Sequence, residues 1–105
     1  MLLRLTLSLA LQAIPAASFL TGNDLWQKCN GNSDQKMVCL GYIEGISDAM
    51  DGAPLGGRRA CIPLHTTGGQ LRDIVIAYLR AYANLRDYSA TALVSTALAE
   101  AFTCQ

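Results

Sequence analysis

Charge is scarce in this sequence. Eight basic and eight acidic side chains, 15% of 105 residues, cancel to a formal net charge of zero. A nucleic-acid binder draws its affinity from many Lys and Arg contacts to phosphate, so this composition argues against that class. Histidine is scarcer still, with His65 alone in the chain. No C-x-x-C pair accompanies it, so neither a zinc site nor any other metal site is expected. No motif for a cofactor is found. Runs of the ~20 apolar residues that span a bilayer are also missing. No segment alternates apolar and polar residues as a half-buried strand does. Disorder is excluded from the other side, because 51% of the residues are hydrophobic.

What is present begins with a targeting signal. Arg4 supplies an early positive charge, Leu5 to Ile14 is a short apolar stretch, and Pro15-Ala16-Ala17-Ser18 offers small residues for cleavage. This pattern predicts a signal peptide over residues 1–17, export to the periplasm, and no membrane anchor once it is removed. Residues 18–105 then form a single domain, just above the size at which a core alone becomes marginal. All four cysteines, Cys29, Cys39, Cys61 and Cys104, lie in that mature part. An even count behind a signal peptide reads as two disulfides formed in an oxidising compartment.

Periodicity and capping signals predict four helices, and the fold class is a small all-α domain. The first is short, opened by Thr21 with Asp24 three residues on as a capping box, and carries Leu25, Trp26 and Cys29. The second starts near Asn32 or Ser33 and places Cys39, Tyr42, Ile43, Ile46 and Met50 on one stripe. Gly41 and Gly45 lie on it four residues apart, which predicts a close backbone approach. The third opens with the box Thr67-Gly68-Gly69-Gln70 and holds Leu71, Ile74, Val75, Tyr78, Leu79 and Tyr82 on its apolar face. The fourth is expected from Asn84 or Asp87 to Phe102, with Ala101 and Phe102 among its inward residues. Between the second and third lies a long connection, Asp51 to Thr66, rich in Gly and Pro. A connection of that length in a compact domain is usually functional.

Candidate chemistry is thin. His65 has no evident partner, and the cysteines are better explained as bridges than as nucleophiles. Glu44 and Asp48 share a helical face and could mimic an acid–base pair, but solvated charge accounts for them. Gly56-Gly57-Arg58-Arg59 lacks the phosphate-loop pattern and reads as a basic loop. Tyr42, Tyr78 and Tyr82 are expected as core or interface aromatics. No enzymatic activity is predicted. The long loop is the natural contact surface, with Arg58, Arg59 and His65 as its partner-binding candidates.

Topology favours one disulfide pairing among three. If the first two helices are neighbours, the end of one (Cys29) meets the start of the other (Cys39). If the third and fourth form an antiparallel hairpin, Cys61 lies beside Cys104. Cys39–Cys61 with Cys29–Cys104, and Cys29–Cys61 with Cys39–Cys104, remain open.

The segments Phe19 to Leu25, Cys39 to Ala49, Cys61-Ile62-Pro63, Thr67 to Asp73 and Ala97 to Cys104, in that order and spacing, resemble the Rap/Tai immunity family. The resemblance spans essentially the whole mature chain. It implies a periplasmic, all-helical protein that forms a homodimer and plugs the Cys–His cleft of a peptidoglycan amidase delivered by type VI secretion. A more distant similarity, in the Gly-aromatic helix and the cap before the third helix, is to small periplasmic acid-stress chaperones. The chain departs from the family at Tyr82-Ala83, where His-Pro is common, and at Asp87, where a His is common. The leading expectation is therefore an inhibitor of a secreted amidase, and the alternative is an envelope-stress chaperone.

Overall fold

The computed structural model describes residues 19–105, so the predicted signal segment lies outside the described residues. Four α-helices appear in the order α1 (Gly22–Cys29), α2 (Ser33–Met50), α3 (Gly68–Ala81) and α4 (Ala90–Ala101), with a 3-10 turn at Ala83–Leu85 before α4. The described residues contain isolated bridges but no strand. None of the described helices is long and apolar enough to cross a membrane.

Each helix starts where a side chain can satisfy its first free amides. Thr21 and Asp24 make the expected reciprocal box on α1, and Thr67 and Gln70 make it on α3. A third box, Asn32 with Gln35, opens α2. On α4 the Ser89 hydroxyl accepts from the Ala92 amide at 3.1 Å. The start of α4 is therefore corrected from Asn84 or Asp87 to Ala90. Residues 82–88 are taken up by the 3-10 turn and by hydrogen bonds to the other end of the chain. Gly22 N donates to Tyr88 O, Asn23 N to Arg86 O and Ala90 N to Leu20 O, each at 2.8 Å. The Asn23 side chain adds a bond to Asp87 at 3.0 Å. Gly22 is needed for this clasp, because a Cβ there would lie 2.9 Å from backbone atoms of Arg86 and closer still to Leu93.

The core sits where the apolar stripes meet. Leu25, Ile43, Val75, Val94 and Leu98 are fully buried there, with Leu79 nearly so. Burying one such side chain contributes about 1.5–3 kcal/mol relative to leaving it in water. The α2 stripe is as expected, with Tyr42 half-buried and its hydroxyl 2.8 Å from that of Thr91 on α4. Three expectations fail. Tyr82 is exposed rather than on the apolar face of α3, because the helix ends at Ala81 and Tyr82 leaves the helical conformation. Ala101 is exposed rather than inward, because α4 ends there and the chain turns away. Gly41 and Gly45 are also exposed, and a Cβ at either would meet nothing within 4 Å, so no backbone approaches them.

Two disulfides close the fold, Cys29–Cys39 joining α1 to α2 and Cys61–Cys104 joining the long loop to the chain end. This is the pairing that topology favours, and no free cysteine remains among the described residues. α3 and α4 are antiparallel: Phe102 sits with Gln70 and Ile74, whereas Ala92 faces Tyr78.

Candidate functional site

The Asp51–Thr66 loop is built from tight turns. Leu55 and Arg58 exchange backbone hydrogen bonds at 2.8 and 3.0 Å around Gly56 and Gly57. Both glycines have positive φ, 59° and 79°, as a two-residue turn between paired strands requires. Three residues further on, Cys61 is tied down twice, by its disulfide and by its amide donating to Phe102 O at 2.8 Å. A second turn runs from Pro63 to Thr66, whose amide and hydroxyl both donate to Pro63 O. His65 within it takes φ = 70°, a left-handed conformation uncommon for a residue with a side chain.

This path separates the three candidate side chains. Arg58 reaches the α3–α4 face, where it lines a depression of about 260 Å³ with Tyr78, Leu85, Tyr88, Ala92 and Thr96. Its guanidinium donates to Gly56 O at 3.3 Å and makes no ion pair among the described residues. His65 instead lines a depression of about 230 Å³ over the end of α2, with Ser47, Asp48, Asp51 and Pro63. Arg59 is exposed and lines neither. Thus the loop presents a basic end over aromatics and a histidine end over aspartates.

Around Arg58 the surface is aromatic. The Tyr78 and Tyr82 rings lie 4.5 Å apart and tilted by 45°. Burial, then Glu100 and Tyr82, hold the Tyr78 phenol above its ordinary value of 10.0, with Arg58 pulling the other way. The phenol therefore keeps its proton at neutral pH and can both donate and accept. Tyr88, with no mark in the sequence beyond its place before the Ser89 cap, is 63% exposed beside it.

Glu44 and Asp48 face a third depression, of about 370 Å³, together with Ser47, Thr66, Gly68 and Leu71. The Glu44 carboxylate lies directly over Gly68, in the first turn of α3. A carboxylate there complements the positive end of the helix dipole, which gives Glu44 a structural role. Nucleophilic catalysis needs a base within hydrogen-bond reach of the nucleophile. Ser47 and His65 line one depression, but no hydrogen bond joins them. Among the described residues no three His, Cys, Asp or Glu side chains gather as a metal site would require. A further depression, of about 490 Å³, is lined by Pro63, Thr66, Gln70, Asp73, Ile74 and Phe102, and holds no such set either.

These surfaces are suited to contact with another macromolecule: a rigid helical frame, a pinned loop, and aromatic and arginine side chains left in water. No curated protein matches the sequence. The sequence profile of the Rap1a immunity proteins, however, matches residues 21–104, from the first helix cap to the last cysteine. The chain thus belongs to the Rap1a immunity protein family.

Proposed function

We propose that this protein works in the periplasm as an immunity factor that binds a secreted peptidoglycan amidase and blocks its active site. Family membership carries the reading, since it implies an immunity role and a cognate effector as partner. The two disulfides support an oxidising compartment. Inhibition asks for shape, buried anchors and a satisfied polar rim, and it needs no titratable pair of its own. The protein is accordingly read as a non-enzyme whose long loop contributes to the contact.

The test is co-expression with a secreted peptidoglycan amidase, sought first among the genes neighbouring its own. With its signal segment the protein should protect cells from lysis by the periplasmic amidase, and without that segment it should not. Purified, it should bind the amidase in a fixed ratio and stop peptidoglycan cleavage. Turnover of a cell-wall substrate by the protein alone would overturn the reading. So would acid-dependent protection of many unrelated proteins from aggregation, which is the behaviour of a chaperone.

A further inference from the structure

We propose that the effector seats on the α3–α4 face, placing one apolar side chain in the depression between Tyr78 and Tyr88 while a neighbouring carboxylate pairs with Arg58. This rests on the immunity reading above and names the surface through which it operates.

Size selects the occupant first. About 260 Å³ falls below the ~300–1,000 Å³ of small-molecule sites and suits a single side chain from a partner. Composition agrees. Tyr and Arg dominate the residues that carry binding energy at interfaces, because they present large, stiff surfaces with a polar end. Here Tyr88 and Tyr82 are 63% and 44% exposed, so their apolar area remains wet in the free protein.

Charge then selects the side from which the partner comes. Arg58 has no carboxylate partner among the described residues, and its guanidinium meets only a carbonyl. The acidic group acting on Tyr78 is Glu100, which would repel a carboxylate from that flank. A partner carboxylate is therefore favoured on the Arg58 flank. The frame is also fixed in advance: the Gly56-Gly57 turn holds the base of Arg58, and the Cys61–Cys104 disulfide anchors the loop just beyond it. Rigidity of this kind lowers the ordering cost of association. The opposite end of the loop lacks these properties, since His65 faces Asp48 and Asp51 and no aromatic side chain lines that depression.

The experiment uses the purified mature protein and the amidase identified by the co-expression test above, with affinity measured by calorimetry. Ala92→Arg fills the depression from an exposed helical position, Tyr88→Ala removes one wall, and Arg58→Glu reverses the charge. Each should weaken binding by about thirtyfold or more while helicity and melting temperature hold. Arg58→Glu should also flatten the fall of affinity with added salt. Lys36→Ala, at an exposed position on α2, should stay within about twofold of the wild type. If the wild type binds and all three variants bind as tightly, the docking face is elsewhere and this proposal falls while the immunity reading stands. If the wild type does not bind the amidase, both fall. If Ala92→Arg dissolves a dimer and leaves amidase binding intact, the face belongs to a second copy of the chain, and the proposal is equally overturned.

Discussion

The guanidinium carbon of Arg86 lies 4.4 Å from the centroid of the Trp26 ring. Arg80 approaches the same indole at 5.9 Å. The closer contact joins α1 to the connection between α3 and α4, at the point where Asn23 N donates to Arg86 O. It has a cost as well as a gain: Nε and Nη1 of Arg86 are buried without a hydrogen-bond partner.

Opposite substitutions at Arg86 separate these two effects. Arg86→Lys should lower stability by about 1 kcal/mol, because an ammonium cannot lie flat on the indole. Arg86→Met should cost less, since it keeps an apolar stem on the ring and removes two unpaired donors. Urea unfolding followed by the fluorescence of Trp26, the sole tryptophan, measures both. A Lys variant as stable as the wild type would show that the planar contact contributes nothing.

Glycine substitutions should fall into two classes by what surrounds them. Gly41→Ala and Gly45→Ala enter open space on α2 and should each stabilise the protein by about 0.5–1 kcal/mol. Gly22→Ala drives a methyl group into the backbone of Arg86 and should destabilise by about 1–3 kcal/mol. Gly68→Ala should be milder, because most of what it meets is the movable end of Glu44. Thermal melts of the four variants give the order directly.

The disulfides should contribute unequally. A loop-entropy model assigns ~2.7 kcal/mol to closing the 10-residue Cys29–Cys39 loop and ~4 kcal/mol to the 43-residue Cys61–Cys104 loop. Paired Cys→Ser variants should therefore melt lower, the second pair more so. Non-reducing peptide mapping should recover these two linkages and no others.

The pH dependence should have one acidic and one alkaline component. Hydrogen bonds from the Thr21 amide and hydroxyl region hold Asp24 below its ordinary 3.8. Its cap therefore stabilises the fold above that value and is lost as pH falls through the lower, folded value. Tyr78 is shifted upward, so the fold favours the neutral phenol, and stability should decline as pH rises beyond 10.0. Melting profiles of Asp24→Asn and Tyr78→Phe should each lose one arm of the dependence and keep the other.

Much of the fold is local and therefore visible in sequence. Thr21 with Asp24 and Thr67 with Gln70 act over three residues, and the stripes of α2 and α3 repeat every turn. The disulfide pairing that helix order favours is the one formed, although order by itself leaves two others open. The start of α4 was hidden because residues 86–90 are shaped by bonds to Leu20, Gly22 and Asn23, more than sixty residues away in the chain. Gly41 and Gly45 show the same limit, since spacing alone does not say what packs against a helix face. The contact candidates were legible as residue types, but not as a surface. That Arg58 joins Tyr78 and Tyr88 while His65 joins Asp48 and Asp51 depends on the route of the loop over α3 and α4.

The positions of the two bridges leave the molecule with uneven tolerance to a broken backbone. A peptidase cut between residues 82 and 88 leaves both pieces tethered through Cys61 and Cys104, and a cut at Gly31 leaves them tethered through Cys29 and Cys39. A cut after the exposed Arg58 or Arg59 is different: it parts the α1–α2 half from the α3–α4 half with no covalent link between them. The dibasic step is thus a single thread joining two closed hairpins, and an effector seated over Arg58 would shield it from trypsin-like cleavage.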